Sequence, residues 1–150
     1  MTLTVSQTDP RQPEAAALLH ASHKLMGELF NPEENHFLSV EELCTSDITF
    51  LAAYDGGGIL GTGALANRGT YGEVKSMFTA PEARGKGVAD AILSALIDTA
   101  RAQGLPLMRL ETGDSLHAAH RLYARHGFTR CGPFGDYEAM PTSVFMEKTL

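Results

Sequence analysis

The sequence has only two cysteines and no long apolar run, and each of these shortages argues against a class of protein. Cys44 and Cys131 lie far apart in unrelated contexts, which argues against a disulfide framework and a four-ligand zinc site. No apolar segment approaches the roughly 20 residues that a membrane-spanning helix needs, and the N-terminal segment lacks the basic and apolar parts of a secretory signal. We therefore expect a cytoplasmic protein with neither a membrane partner nor a metal ion.

Basic residues are also scarce, because 12 lysines and arginines face 18 aspartates and glutamates, for a net charge of −6. Nucleic-acid binding needs a basic patch or stripe, so we expect no nucleic-acid partner. The rest of the composition is ordinary for a globular protein, with 43% hydrophobic and 20% charged residues. The length of 150 residues suits one domain, and no repeat, linker or low-complexity segment divides the chain. We therefore predict a single domain over residues 1–150.

The first half of the sequence predicts a helix and a small antiparallel sheet. Residues 3–7 alternate as in a short strand, and apolar residues at helical spacing predict a helix within residues 9–30. Ser39 and Glu42 have the spacing of a capping box, which predicts a short helix over 39–44. Turn residues then separate three strand-like runs that predict an antiparallel meander, namely 47–54, 59–67 and 72–79.

The second half alternates helices and strands, which is typical of an α/β protein. The pattern predicts a helix over 88–103, a strand over 105–112 and a second helix with Asp114 as its N-cap and Gly127 just past its end. The third strand of the meander, the first of these helices and the next strand should form a right-handed parallel crossover. We expect the tail, residues 143–150, to close the edge of the sheet.

The stretch EARGKGVAD, residues 82–90, places two glycines around a lysine directly before the helix over 88–103. Glycines at this spacing allow tight backbone turns, and a helix N-terminus offers free N–H groups and the positive end of its dipole. Arg84 and Lys86 add positive charge, so the stretch indicates a phosphate site. The alternative is a glycine-rich surface turn whose basic residues are solvated.

Two other phosphate-binding motifs do not fit the sequence. The Walker A pattern G-x-x-x-x-G-K-[ST] does not occur in the chain. The stretch GTGALA, residues 61–66, matches the loose form of a dinucleotide fingerprint, and Glu82 follows at a suitable distance. That fingerprint must open a helix, whereas GTGALA runs directly into the turn NRGTYG. We therefore expect no dinucleotide cofactor.

The phosphate loop and its surroundings resemble the GNAT superfamily of acyl-CoA-dependent N-acetyltransferases. The family's loop has the form [QR]-x-x-G-x-[GA], which residues 84–89 match as RGKGVA, and the family's L-Y-x-x-x-G-F motif matches residues 122–128. The resemblance extends from about residue 47 to 150, and the tail resembles small single-domain bacterial members. It implies an α/β GNAT fold with a central mixed sheet of about six to seven strands and helices on both faces. It also implies that acetyl-CoA is the cosubstrate.

The resemblance assigns site residues position by position. The loop's N–H groups and basic side chains would bind the CoA pyrophosphate, which involves Arg84, Gly85, Lys86, Gly87, Val88 and Ala89. Met77 and Thr79 would hold the pantetheine arm through backbone groups, and the Met77 N–H would donate to the thioester carbonyl. Many family members carry an asparagine where this chain has Leu116, and the neighbouring Ser115 is the candidate to replace it.

Acetyl transfer to an amine needs a neutral nucleophile, stabilisation of the oxyanion and a proton for the departing thiolate. By resemblance, Tyr123 supplies that proton, since a phenol is protonated at neutral pH. The alternative for Tyr123 is a core aromatic on the apolar stripe of its helix. Glu73 and Glu111 are candidates for the base, because family members often use a strand carboxylate that acts through water. The alternative for both is a solvated residue on a strand face.

The histidines are weaker candidates for a functional role. Two pairs stand at i and i+3 on predicted helices, namely His20 with His23 and His117 with His120. No carboxylate or cysteine motif completes either pair as a metal site, so we expect solvated or core histidines. By resemblance, His36 and Phe37 would lie in the loop that shapes the acceptor pocket, with a plain surface loop as the alternative.

The function implied by the resemblance is transfer of an acetyl group from acetyl-CoA to a primary amine of a small molecule, such as an amino acid or a polyamine. We expect direct attack in a ternary complex, because both cysteines lie outside the recognised motifs. Two alternatives are a catalytically idle acyl-CoA-binding sensor or assembly subunit, and a protein N-acetyltransferase. If the chain self-associates, we expect a homodimer, since two-fold dimers are the commonest oligomers.

Overall fold

One mixed sheet of seven strands forms the centre of the computed structural model, which describes residues 3–150. Its strands are β1 (Thr4–Gln7), β2 (Ile48–Tyr54), β3 (Ile59–Asn67), β4 (Gly72–Thr79), β5 (Leu107–Gly113), β6 (Thr129–Cys131) and β7 (Ser143–Thr149). They lie in the order β1-β2-β3-β4-β5-β7-β6, where β4 and β5 are parallel and the other neighbours antiparallel. The predicted meander over β2 to β4 and the predicted parallel pairing of β4 with β5 are confirmed.

Three α-helices accompany the sheet: α1 (Pro13–Leu29), α2 (Val88–Ala102) and α3 (His117–Arg125). α1 begins at Pro13 because proline needs no N–H partner in a first turn, and the Gln12 side chain accepts a hydrogen bond of 2.9 Å from the Ala15 N–H. Short 3-10 turns occupy Pro32–Glu34, Glu42–Cys44 and Pro81–Ala83. The predicted capping box is confirmed, because the Ser39 hydroxyl accepts from the Glu42 N–H at 3.1 Å and the Glu42 carboxylate accepts from the Ser39 N–H at 3.0 Å.

Alternation along β2 sends its side chains into two separate cores. Leu51 and Ala53 join the core that α2 covers, whereas Phe50 and Ala52 join the core on the opposite face, which α1 covers. This alternation is the period of two residues that every strand has. Helices therefore lie on both faces of the sheet, as the resemblance implied. Within residues 3–150, no helix has the length and apolarity needed to cross a membrane.

The C-terminal tail lies inside the sheet, so the prediction that it closes the edge was wrong. β7 pairs with β5 on one side and with β6 on the other. The physical reason is the run of consecutive buried residues Val144, Phe145 and Met146, since a strand covered on both faces is continuously apolar. The sequence analysis assigned no strand to β6, which has only three, mostly exposed residues. A short, polar strand of this kind is a common way to end a sheet.

The prediction of Asp114 as the N-cap of α3 was also wrong. The helix begins at His117, with Leu116 in the cap position and no side-chain hydrogen bond to the first turn. The difference arises because the chain first makes a separate turn after β5, in which the Leu116 N–H donates to the Gly113 carbonyl at 3.2 Å. Asp114 belongs to that turn and is exposed.

The other end of α3 agrees with the sequence. Gly127 follows the helix with φ 89°, in the left-handed region that favours glycine. The Phe128 N–H donates to the Tyr123 carbonyl at 3.0 Å and the Gly127 N–H to the Ala124 carbonyl at 3.1 Å, which together form a Schellman motif. The rings of Tyr123 and Phe128 lie 5.8 Å apart and complete it with an aromatic contact. This motif fixes Tyr123 at the end of the helix.

Gly63 in β3 lies so close to α2 that a side chain there has no room. A Cβ at this position would lie 2.5 Å from Ile92 and 2.7 Å from Met77. We expect Gly63→Ala to lower the free energy of unfolding by about 1–3 kcal/mol, the usual cost of overpacking. Gly27→Ala is the matched control, because Gly27 lies in α1 and none of residues 3–150 lies near its Cβ position. It should raise stability by about 0.5–1 kcal/mol. Urea unfolding measures both changes. A Gly63→Ala protein with the free energy of unfolding of the parent would contradict this close packing.

Candidate active site

β4 and β5 separate soon after they meet, which opens a wedge in the sheet. Within the described residues, their pairing is limited to Gly72↔Met108 and Glu73↔Arg109. Both strands continue beyond that point, each still paired with its outer neighbour. A cleft of about 690 Å³ occupies the wedge and extends from the loop before α2 to the segment 34–37. The cleft is therefore a consequence of the strand topology.

A bulge in β4 lies on the wall of this cleft. On β3, Gly63 alone opposes Ser76 and Met77, where the register between the two strands shifts. Ser76 has φ 56°, in the left-handed region that few residues other than glycine adopt. The buried Thr62 hydroxyl donates to the Ser76 carbonyl at 2.9 Å and holds this conformation. Bulges interrupt regular pairing and redirect a strand, often beside an active site.

The loop before α2 turns tightly at both of its glycines. Gly85 and Gly87 have φ 78° and 79°, which explains why glycine stands at each position. The first intrahelical hydrogen bond runs from the Ala91 N–H to the Gly87 carbonyl at 3.0 Å. The N–H groups of Val88 and Ala89 therefore precede the hydrogen-bonded ladder. Together with the positive end of the α2 dipole, these donors suit an anion.

Tyr123 is a packed aromatic that also borders the cleft. It is 5% exposed and belongs to the core under α2, yet it lies in the cleft lining. Burial raises the pKa of the Tyr123 phenol above its ordinary value, and the nearby Glu111 carboxylate adds to this increase. The phenol is therefore fully protonated at neutral pH and has a proton to donate.

Glu111 on β5 borders the same cleft. Burial raises the pKa of its carboxyl above the usual range, although Ser143, His36 and Lys75 each lower it in part. A carboxylate with a raised pKa is a stronger base and accepts a proton more readily near neutral pH. The Glu111 carboxylate and the Tyr123 phenol therefore line one cleft and are close enough to interact electrostatically.

Glu73 is not a solvated strand residue, and that alternative for it was wrong. It is 3% exposed, and its carboxylate accepts hydrogen bonds from the Tyr137 hydroxyl at 2.5 Å and from Arg68 at 3.2 Å. The Lys75 ammonium lies 3.5 Å from the same carboxylate. Burial and the Glu73 charge raise the pKa of the Tyr137 phenol, which keeps it protonated as a donor. Glu73 is the centre of a buried ionic network and is not part of the cleft lining.

The cleft brings together most of the site residues that the sequence suggested. In its lining are Met77, Thr79, Arg84, Gly85, Gly87, Val88, Ala89, Glu111 and Tyr123. Lys86 and Ser115 are exposed and, like Glu73, are not among the lining residues. The lining also contains side chains that the sequence analysis did not single out, namely Ser76, Thr112, Arg121, Arg125 and Thr142. The sequence could have indicated the two arginines, because their i,i+4 spacing puts them on one face of α3.

Neither histidine pair has a third metal-binding side chain beside it in the part of the chain that the structure describes. There, no group of three or more His, Cys, Asp or Glu side chains could hold a metal ion. The His120 Nε2 instead lies 2.8 Å from the Gly113 carbonyl and ties α3 to β5. His23 stacks on Phe37 with ring centroids 4.1 Å apart. These contacts give both histidines packing roles.

Comparison with known proteins connects the cleft to a family. The model of the Acetyltransferase (GNAT) family matches residues 17–128. The chain is 40% identical over 150 residues to the IAA acetyltransferase of Azospirillum brasilense, which covers 99% of this chain and 98% of that protein. A solved structure described as an acyl-CoA N-acyltransferase from Klebsiella pneumoniae subsp. pneumoniae has a TM-score of 0.82 and 31% identity, with 99% and 98% of the two chains covered. The PaiA N-acetyltransferase of Thermoplasma acidophilum, solved with coenzyme A, shares the fold at a TM-score of 0.76 and 15% identity over 100% of both chains.

These similarities bear directly on the motifs of the sequence. The family model spans both the glycine loop before α2 and the segment 122–128 that ends α3. The Azospirillum protein matches along nearly its whole length, so the match is not confined to one motif. The resemblance stated from the sequence is confirmed: the chain belongs to the GNAT acetyltransferase family and is an acetyl-CoA-dependent N-acetyltransferase.

Proposed function

We propose that residues 1–150 form one catalytic domain that transfers the acetyl group of acetyl-CoA directly to a primary amine of a small molecule. The observation that carries this proposal is the pair of Glu111 and Tyr123 in one cleft, a carboxyl with a raised pKa and a buried protonated phenol. One end of the cleft meets the glycine loop, and the other meets the segment 34–37. A cosubstrate and an acceptor can therefore approach the pair from opposite ends.

The glycine-loop end suits the cosubstrate. Its pyrophosphate would lie against the free N–H groups at the start of α2, with Arg84 beside it and Lys86 contributing from the exposed side of the loop. Arg121 adds positive charge to this end of the lining, whereas the charge of Arg125 is paired with the Asp90 carboxylate at 3.2 Å. Met77 and Thr79, on the cleft side of the β4 bulge, would hold the pantetheine arm, while the exposed Ser115 lies outside the lining. The cosubstrate supplies a thioester that an amine can attack.

Glu111 and Tyr123 supply the proton transfers in this mechanism. Glu111 accepts a proton from the acceptor ammonium, directly or through water, and so produces the neutral amine that attack requires. The Met77 N–H would stabilise the negative charge that develops on the thioester oxygen. When the C–S bond breaks, Tyr123 donates its proton to the departing thiolate, and the proton that the acetylated nitrogen releases restores the Tyr123 phenol. We favour Glu111 over Glu73 as the base, because the Glu73 carboxylate is held by Arg68 and Tyr137.

Direct transfer is favoured over a covalent enzyme intermediate by the positions of the cysteines. Cys44 is exposed and Cys131 lies on β6, and neither is among the residues that line the cleft. Burial raises the pKa of the Cys131 thiol, which makes it a poorer nucleophile at neutral pH. A small amine as acceptor, a cytoplasmic location and a homodimer stay predictions.

Gly87→Glu should weaken acetyl-CoA binding at least about tenfold, because it puts a negative charge where the pyrophosphate is expected to bind. Gly104→Glu is the matched control, since Gly104 also has a positive φ, at 74°, but stands beyond the other end of α2. Its dissociation constant should stay within about twofold of the parent value. Calorimetric titration with acetyl-CoA gives both constants, and equal weakening by the two substitutions would mean that the effect is general destabilisation.

Tyr123→Phe should slow turnover by at least about tenfold while acetyl-CoA affinity stays nearly unchanged, because it removes the proton donor but keeps the packed ring. Tyr54→Phe is the control: its hydroxyl pairs with Thr8 at 2.8 Å, and Tyr54 is not among the cleft-lining residues. Thiol release during single-turnover acetylation measures the rate. Full activity in Tyr123→Phe would assign the residue to packing alone.

Glu111→Gln should reduce turnover by about 10²-fold or more, the usual effect of removing a general base. In the parent enzyme the rate should fall as pH decreases through the raised pKa of Glu111, at a pH above the ordinary glutamate range near 4.3. The fold favours the protonated carboxyl, so at neutral pH the buried charge opposes folding, and Glu111→Gln should leave stability undiminished. A pH profile of kcat/KM and thermal unfolding test these two statements.

Glu73→Gln is the contrasting variant, because Glu73 anchors the buried network. Removing one member of such a network leaves the Lys75 and Arg68 charges poorly paired, so we expect a loss of about 3 kcal/mol in stability. The rate of the Glu73→Gln enzyme should still fall as the pH decreases, with the same apparent pKa as in the parent enzyme. If Glu73→Gln abolished this fall in rate while Glu111→Gln kept it, Glu73 would be the base.

If no amine were acetylated by a parent protein that binds acetyl-CoA, the chain would be an acyl-CoA-binding protein without catalytic activity.

A further inference from the structure

We infer that the acceptor end of the cleft selects a primary amine with a flat apolar body and no carboxylate, that is, an arylalkylamine. This inference rests on the proposed acetyl transfer to a small amine and specifies its acceptor. It narrows the sequence-based expectation of an amino acid or a polyamine. Three features of the acceptor end support it: an exposed aromatic ring, the sign of the charges and a set of buried polar atoms without partners.

The aromatic ring is Phe37, which is 43% exposed and lies in the cleft lining. His23 covers one of its faces, with the two rings nearly parallel at 13° and their centroids 4.1 Å apart. Burial lowers the pKa of the His23 imidazole, with His20 adding to the effect, so the stacked ring is uncharged at neutral pH. A flat apolar group of the acceptor can stack on the open face of Phe37. Met26 and Phe30 also contribute apolar groups to the cleft lining.

The charges at this end favour an ammonium and disfavour a carboxylate. Glu34 belongs to the segment 34–37 at this end, and Glu111 lines the same cleft. Lys75 lines it too, but its ammonium has three N–H groups and three oxygen neighbours: the His36 carbonyl at 2.7 Å, the Tyr137 hydroxyl at 3.0 Å and Glu73 at 3.5 Å. The Glu73 carboxylate thus offsets the Lys75 charge, and two of the three N–H groups are already donated, which weakens the attraction of Lys75 for a substrate carboxylate. The arginines of the lining stand on the loop before α2 and on α3, at the cosubstrate end.

Three buried polar atoms of the cleft lining lack a hydrogen-bond partner among the described residues, namely His36 Nε2, Ser76 Oγ and Thr142 Oγ1. Buried polar atoms are seldom left without partners, so an unpaired set in a cleft points to a ligand. A primary ammonium is rich in donors and needs acceptors around it. The Ser76 and Thr142 hydroxyls, together with the Glu111 carboxylate, provide such acceptors. This places the amine next to the proposed base.

The direct test compares three acceptors with the parent enzyme and acetyl-CoA: 2-phenylethylamine, phenylalanine and butane-1,4-diamine. The first two differ only in the carboxylate, and the third is a cation without a ring. We expect kcat/KM for 2-phenylethylamine to exceed that for phenylalanine at least about 100-fold, because a carboxylate beside Glu111 and Glu34 meets like charge. It should exceed that for butane-1,4-diamine about tenfold, because the diamine lacks the stacking contact.

A pair of variants tests the ring itself. Phe37→Ala should raise KM for 2-phenylethylamine about tenfold, a larger loss than the one for the diamine, and leave the acetyl-CoA dissociation constant unchanged. Leu29→Ala is the matched control, because Leu29 is also an exposed apolar residue, at 47%, but is not among the cleft-lining residues. It should alter neither acceptor. An equal loss for 2-phenylethylamine and the diamine in Phe37→Ala would overturn the stacking argument.

The outcomes separate this inference from the function on which it rests. If phenylalanine or the diamine is acetylated in preference to 2-phenylethylamine, the inferred acceptor class is wrong and acetyl transfer to a small amine stands. If acetyl-CoA binds but no thiol is released with any of the three amines, the inferred acceptor class is wrong. If no other primary amine is acetylated either, the proposed function fails as well. Preferred acetylation of 2-phenylethylamine that depends on Phe37 supports both.

Discussion

The early separation of β4 from β5 is the constraint on which the rest of the structure depends. Two neighbouring strands of a sheet can diverge only if each keeps a partner on its other side, since unpaired buried backbone groups are costly. β3 pairs with β4, and β7 pairs with β5 along all of Leu107–Gly113. The insertion of β7 between β5 and β6 therefore allows the wedge to open while β5 keeps a hydrogen-bonded partner. The inner edges of β4 and β5 keep polar backbone groups that a ligand can bind.

A buried ionic network closes the narrow end of this wedge. Glu73 lies at the last residue pair that β4 and β5 share, and it gathers side chains from the turn before β4 and from the segment before β7. Its neighbour Lys75 extends the network to the His36 carbonyl. A charged group at this position thus fixes the surrounding loops, because its partners are specified by geometry as well as by charge. The network is a structural part of the site, and none of its side chains has a role in the proposed proton transfers.

The sequence predicted those features that local patterns determine. Gly85 and Gly87 were identifiable because a tight turn before a helix needs glycine, and the meander was identifiable because turn residues separate its strands. The Schellman motif at Gly127 followed from a glycine after an apolar helical pattern. Each of these depends on residues that are close in the sequence, so a single sequence contains the information.

The features that the sequence did not predict depend on distant residues. The inner position of β7 depends on what covers its two faces, and the burial of Glu73 depends on Arg68 and Tyr137, which a strand pattern does not reveal. The left-handed conformation of Ser76 depends on a hydrogen bond from Thr62. The Phe37 ring has one covered face because His23, which is distant in the sequence, stacks on it. Tertiary contacts, and not local propensity, decide all of these.

The contact between Phe30 and Gly113 has a consequence for how this site can diverge in evolution. A Cβ at position 113 would overlap the Phe30 ring, so the ring that follows α1 occupies the space of a missing side chain at the end of β5. Phe30 also lines the cleft, which means that its position limits the depth of the cleft. The residues at 30 and 113 are thus expected to covary: a side chain at 113 requires a smaller residue at 30, and the pair together adjusts acceptor size without altering the glycine loop.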